Sequence, residues 1–229
     1  MRRVVKAALL AAIFSWVSGA RADIQGAGAS FPSKVYSKWS EQYQRDMGVR
    51  VAYKPTGSGD GVKQITERAV EFAGSDSPLS QAELAKRKLV QFPMVVGGIV
   101  PIVNLPGVGE RGVQLNGVTL ADIMRGAIVR WDDPRIAELN KGARLPALPI
   151  RRLVRAEKSG TTEGFTRYLS QVSGEFKAQV GESQLPKWPG EVTAVEGNDG
   201  MVSAFKATTG AIAYVSYDRV VRDNLADVR

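Results

Sequence analysis

Two spacings of apolar residues take turns along this chain. Short extended runs, one near Ile24 and one in VRVAYK (49–54), alternate with stretches whose apolar residues recur about every three to four positions. From Pro32 to about Met47, Val35, Trp39 and Tyr43 fall at helical spacing, and Gly48 supplies a stop. DGVKQITERAV (60–70) carries the same period, FAGS (72–75) reads as a strand, and SQAELAKR (80–87) starts with Ser80 and Glu83 in the spacing of a capping box. This βαβα order predicts an α/β fold built on parallel sheet with helices on both faces.

Residues 89–105 (LVQFPMVVGGIVPIVNL) break the pattern: they are apolar, contain glycine and offer no helical face, as expected of a strand crossing between two lobes. Helices are predicted beyond it at 119–126 and 133–140, a strand at 150–155, and a helix from about Thr161 to Val172. A helical stretch at 198–210, a strand at 211–215 and a terminal helix complete the order, with no internal repeat or low-complexity tract.

The first 22 residues belong to a different class. Arg2, Arg3 and Lys6 precede an apolar run from Ala7 to Val17, and Ala20-Arg21-Ala22 stands before Asp23. That is the layout of a secretory signal peptide cleaved after Ala22, with an apolar core too short for a membrane span. Cysteine is absent, which leaves no disulfide, no thiolate nucleophile and no residue for a lipid anchor at the junction. A soluble protein retained in a bacterial periplasm is the expectation. Histidine is absent as well, removing the commonest metal ligand and general base, so no metal, cofactor or catalytic step is expected. The formal charge of +8 includes four basic and no acidic residues in the leader, so 27 Lys and Arg then face 23 Asp and Glu, a net +4. So mild an excess argues for a small anionic ligand rather than nucleic acid. AKRK (85–88) and RRLVR (151–155) are expected to be solvated faces or element ends.

Four segments share one design, a strand running into a polar or glycine-bearing turn that opens a helix: GAGASFP (26–32), TGSGDG (56–61), GSDSPLS (74–80) and RAEKSGTT (155–162). Such turns lie at the carboxyl ends of strands, where open α/β sheets bind ligands. Helix N-termini there offer free N–H groups and a partial positive charge, which suits an oxyanion. Ser30, Ser58, Ser159 and Thr161 add hydroxyls, and Arg155 adds a planar fork for two oxygens. Each feature alone is an ordinary cap or turn; four together point to an anion site. The enzyme motifs fit poorly. GAGASF lacks the third glycine of a dinucleotide loop, GSGDGVK lacks the ending of an NTPase phosphate loop, and no histidine exists for a serine triad. A Ser58–Lys63 dyad is disfavoured because Lys63 falls inside a helical pattern.

The motifs GAGASFPSKVYSKW, GSGDGVKQI, EFAGSDSPLS, QFPMVVGGIVPIVNLPG, RWDDPRIAELN, VRAEKSGTTEGFTRYL, EGNDGM and TGAIAYVSY, in this order, resemble the periplasmic phosphate-binding protein of the phosphate-specific ABC importer. The resemblance implies a two-lobe, type II periplasmic binding protein, each lobe a mainly parallel sheet flanked by helices. The first lobe would span 23–98 and the second 99–229. It implies a monomer without catalytic activity that closes over one inorganic phosphate and delivers it to the membrane permease subunits. Carried over by position, the ligand shell is Ser30, Phe31, Ser58 and Asp76 from the first lobe, with Arg155, Ser159, Gly160 and Thr161 from the second. Asp76 would accept a bond from the P–OH group and repel sulfate, which has no proton to offer.

Departures from that pattern set further expectations. Ser30 stands where relatives often have threonine and keeps the hydroxyl, Glu157 stands where an aspartate follows the arginine, and Asp60 adds negative charge two residues after Ser58. Family members also continue past the GAIAYVSY region with a segment that re-enters the first lobe, whereas the sequence stops at Arg229, so a first lobe of residues 23–98 is expected to bury little surface. The competing readings are a secreted phosphate-ester hydrolase with a serine or threonine nucleophile, and a degenerate paralogue that no longer binds.

Overall fold

A computed structural model describes residues 23–108 and 112–228; the leader read at residues 1–22 lies outside them. The chain begins with β1 (Ile24–Gly28), α1 (Ser33–Met47), β2 (Val51–Lys54), α2 (Ser58–Thr66), β3 (Phe72–Gly74) and α3 (Gln81–Arg87). Its three strands form a parallel sheet in the order β2-β1-β3, with Ile24 opposite Val51 and Gly28 opposite Gly74. At residues 89–98 the chain carries no regular structure, then enters β4 (Ile99–Asn104). There follow α4 (Gly117–Met124), α5 (Pro134–Leu139), β5 (Arg151–Arg155), α6 (Gly160–Val172), α7 (Gly174–Gln179), β6 (Thr193–Val195), α8 (Gly197–Ala207), β7 (Ala211–Ser216) and α9 (Tyr217–Asp223). This second sheet runs β4-β7-β5-β6; β7 and β6 lie parallel to β5, and β4 pairs antiparallel with β7. The predicted α/β class with mainly parallel sheets is thus observed, the antiparallel edge strand being the one that arrives from 89–98.

Local chemistry explains most boundaries. Gly48 ends α1 in the left-handed region, at φ 66°, and Ser80 with Glu83 forms the expected capping box of α3. Helix α2 starts at Ser58, two residues before the predicted start, because Gly57 at φ 98° swings the chain into the helix earlier. α8 stops at Ala207 instead of continuing to 210: Thr208 turns extended and bonds back to the Ala204 carbonyl at 2.8 Å. α7 and β6 span only six and three residues, too short for apolar spacing to reveal.

The core is lopsided. Trp131, Tyr214, Phe176, Leu153, Ile212 and Met201 are fully buried in the half that holds the second sheet. Among residues 23–98 the buried apolar side chains are Ala27, Ala29, Pro32 and Val70. Helix α1 forms as its spacing predicted but buries no residue, and Trp39 and Tyr43 are 45% and 43% exposed. They border a cavity of about 1040 Å³ that also touches Tyr36, Phe72, Phe92 and Met94. An aromatic cluster packs within the first half: Tyr36 meets Tyr53 edge-on at 5.0 Å, Tyr53 stacks on Phe72 at 5.8 Å, and the Tyr53 hydroxyl donates to the Ala29 carbonyl at 2.8 Å. Burial pushes that hydroxyl's pKa upward.

RRLVR is not the solvated face that its charge suggests. Arg151 is exposed, but Arg152 and Arg155 are only 7% and 2% exposed. The Arg152 guanidinium donates to the carbonyls of Met124 (2.8 Å), Pro189 (2.6 Å) and Glu191 (2.9 Å), fastening the β5–β6 edge to α4. In AKRK, Lys86 and Lys88 are exposed as expected.

Candidate functional site

The two sheets point their strand ends at one cleft, where the N-termini of α1, α2 and α6 meet. Their approach is close. The N–H of Gly59, in the first turn of α2, donates to the Lys158 carbonyl at 3.1 Å, a backbone bond from one half to the other. A Cβ placed on Gly160 would lie 2.6 Å from both the Ser58 hydroxyl oxygen and the Asp76 Cβ. Only glycine permits α6 to start that close to the opposite wall.

Arg155 ends β5 with 1% of its side chain exposed. Its backbone N–H donates to the Tyr214 hydroxyl at 3.3 Å, and that hydroxyl also bonds Thr162 Oγ1 at 2.8 Å, so β7 fixes both the strand end and the helix start. Burial pushes the Tyr214 pKa up to about 12, keeping the hydroxyl protonated and able to serve both neighbours. One guanidinium nitrogen, Nη2, donates to Ser30 Oγ at 3.2 Å across the cleft and pairs with Glu157. Glu157 in turn accepts from the Gly197 N–H at the start of α8, at 3.3 and 3.4 Å. The other two nitrogens, Nε and Nη1, are buried with no partner among the described residues. A buried charged donor left unpaired is costly, and an oxyanion accepting from both would relieve that cost.

The remaining predicted residues make contacts of their own. Ser58 is 1% exposed and its oxygen accepts from the Asp76 N–H at 3.2 Å, which leaves its hydroxyl proton to donate elsewhere. Thr161, 3% exposed, donates to Asp76 Oδ2 at 3.2 Å. Ser159 caps α6 by accepting from the Thr162 N–H at 3.3 Å. Phe31 follows Ser30, and its ring sits against Gly97, where any side chain would collide with it. Ser30 thus bonds Arg155, while Ser58, Asp76, Gly160 and Thr161 form a second set in mutual contact, and the Arg155 charge acts on Asp76 between the two; Phe31 and Ser159 adjoin them in sequence.

Solvent reaches Asp76 through the adjoining cavity, yet protein crowds its other sides, and this desolvation raises its pKa above the ordinary value near 3.8. The bond from Thr161 and the Arg155 charge pull the other way and only partly offset it. Asp60, flagged for its negative charge, is engaged by the Gln64 side chain one turn along α2. Lys63 shares that helix with Ser58, and the partner of the Ser58 oxygen is the Asp76 backbone.

Sequence reading missed the contacts that close the cleft beside this group. Ser77, Glu163 and Gln184 meet there, although 107 residues separate Ser77 from Gln184. No local pattern marks residues so far apart.

Comparison with known proteins gives the same picture at the level of the fold. A phosphate-binding protein PstS from Pasteurella multocida is 41% identical over 225 residues, which cover 98% of this chain and 65% of that protein. The chain thus spans a little under two thirds of that relative's length. A solved phosphate ABC transporter substrate-binding protein with bound phosphate from Clostridium perfringens superposes with a TM-score of 0.71 at 20% identity, covering 91% of this chain and 75% of that one. A phosphate-binding protein from Stenotrophomonas maltophilia superposes at 0.68 with 26% identity, covering 86% and 61%. No helix among the described residues is long and apolar enough to cross a membrane. With residues 17–229 matching the PBP superfamily domain from end to end of the two sheets just described, the chain belongs to the PBP superfamily.

Proposed function

We propose that this protein binds inorganic phosphate in the periplasm and presents it to the membrane subunits of an ABC importer. The observation that carries the reading is Arg155: a guanidinium with 1% of its side chain exposed and with two donors unpartnered among the described residues, set where three helix N-termini converge. The 41% identity to a protein named phosphate-binding protein supports the choice of anion. In this reading Arg155, Ser159, Gly160 and Thr161 form one wall, from a second lobe of residues 99–229. Ser30, Phe31, Ser58 and Asp76 form the other, from a first lobe of residues 23–98, with 89–98 as the connection.

Charge complementarity sets the selectivity. Arg155 and the helix N-termini attract any oxyanion. Asp76, when ionised, accepts a hydrogen bond only from an anion that still carries a proton, as phosphate does near neutral pH and sulfate does not. Ionised Asp76 facing sulfate is a like-charge contact with no proton between, so discrimination rests on a repulsive element. Closure over the anion makes contacts absent from the open form and shifts the population toward the closed one. The protein performs no bond-breaking step; it acts as a monomeric carrier released by a leader peptide. Calorimetric titration of the purified protein with phosphate and separately with sulfate tests this. Phosphate binding with negligible sulfate heat is expected, and a folded protein that takes up neither anion, or both equally, overturns it.

A further inference from the structure

Beside the candidate anion shell lies a polar cluster that joins the two halves without belonging to that shell. Ser77, in the turn after β3, is 6% exposed, and its hydroxyl donates to the Glu163 carboxylate in the first turn of α6. Gln184 Nε2 bridges both, at 3.0 Å from Ser77 Oγ and 3.0 Å from Glu163 Oε2. Each member is held in place by its own half. The Ser77 backbone is fixed by Ser75 Oγ, which donates to the Ser77 carbonyl at 2.9 Å and accepts its N–H at 3.1 Å, and Gln91 Nε2 donates to the same carbonyl at 3.2 Å. Arg167 backs Glu163 at 3.7 Å and is itself held by Glu182 at 2.8 and 2.9 Å. The Gln184 carbonyl accepts the Ser159 N–H at 3.1 Å, tying its loop to the cap of α6.

We propose that Ser77, Glu163 and Gln184 form a latch that stabilises the closed cleft independently of the anion. The inference rests on the binding reading above and deepens it by adding positioning residues one step outside the shell. A hydroxyl–carboxylate bond across a seam exists only when the seam is shut, so its free energy enters the open–closed equilibrium and nothing else in the binding reaction. Ser77 follows Asp76, and Glu163 lies two residues after Thr161, so shutting the latch sets the Asp76–Thr161 contact at the same stroke. A charge-assisted bond of this kind corresponds to about a tenfold change in the closing equilibrium. The anion's overall affinity inherits at most that factor, because apparent affinity scales with the closed population and a cleft that is partly closed without anion passes on only part of it. The factor is equal for every anion the cleft accepts, since no latch atom touches the anion.

The test uses the full chain, whose lack of cysteine lets two spin labels be introduced cleanly through Lys38→Cys on α1 and Glu138→Cys on α5, both exposed. Label-to-label distances are measured without any anion and with inorganic phosphate, in the parent, Glu163→Ala, Ser77→Ala and the double variant. Phosphate and arsenate affinities are measured alongside. The expected result is a shift toward longer distances without anion in each single variant. The double variant should shift no further than either single one, and both affinities should fall by one common factor, no larger than about tenfold and equal to the drop in the anion-free closed population, with their ratio unchanged. Glu163→Gln, which keeps an acceptor oxygen, should restore part of the short-distance population. Anion-free distances equal to the parent's in Glu163→Ala, or additive effects in the double variant, overturn the latch. Should the parent bind no phosphate while the variants still lengthen the distance, the latch stands and the binding reading fails.

Discussion

Deleting the Arg155 guanidinium separates a binding role from a structural one. Arg155→Ala removes Nε and Nη1, the two buried donors without a partner among the described residues, and Nη2, which is held by Ser30 and Glu157. If each of the two free donors makes one charge-assisted bond to the anion, at about 1.5–3 kcal/mol apiece, the loss is about 3–6 kcal/mol. That corresponds to roughly a hundredfold to ten-thousandfold weaker Kd for phosphate. The unliganded protein should lose little stability, because the deleted group carries the penalty of two unsatisfied buried donors, while Glu157 keeps its bonds from the Gly197 N–H. Calorimetric titration and thermal unfolding, each with and without phosphate, read the two effects apart. The expected variant melts near the parent without phosphate and gains none of the parent's phosphate-dependent rise in Tm. A parent-like Kd, or an affinity loss matched by an equal loss of anion-free stability, would refute the reasoning.

Four further outcomes follow from the same geometry. Asp76→Asn should narrow the phosphate-over-sulfate preference at neutral pH. In the unmodified protein, acidification should do the same: Asp76 has a raised pKa, so it takes up its proton at a pH above the ordinary carboxylate range, and sulfate binding measured from pH 7 downward should rise as the like charge disappears. Gly160→Ala should weaken phosphate binding roughly fivefold to a hundredfold by holding the cleft open, since its methyl would sit 2.6 Å from Ser58 Oγ and Asp76 Cβ, while the melting temperature without phosphate stays near the parent's. Amide hydrogen exchange should be faster in β1, β2 and β3 than in β5 and β7, because the first sheet is backed by no fully buried large side chain whereas Leu153, Ile212 and Tyr214 lie in the second core; equal protection would contradict that asymmetry.

What the sequence determined by itself is local or compositional. Strand and helix order, the glycine stop at 48, the Ser80–Glu83 capping box and the run of polar turns at strand ends depend on residues a few positions apart, so spacing and residue type suffice to read them. The anion-suited chemistry of 155–162 was legible for the same reason, since an arginine, a serine cap and a glycine in one stretch already define a helix N-terminus with a donor fork. Tertiary structure alone decided whether those pieces meet. It placed Ser30 against Arg155 and Thr161 against Asp76, and it brought Ser77 to Glu163 and Gln184. It also reversed one sequence expectation, since Arg152 is buried where three carbonyls converge on it, and it decided what the apolar spacing of α1 left open, with Trp39 and Tyr43 half exposed beside a cavity. Periodicity records that a residue lies on an apolar face; what covers that face, or which distant oxygen completes a donor's shell, depends on contacts between segments a hundred residues apart, and those carry no signature along the chain.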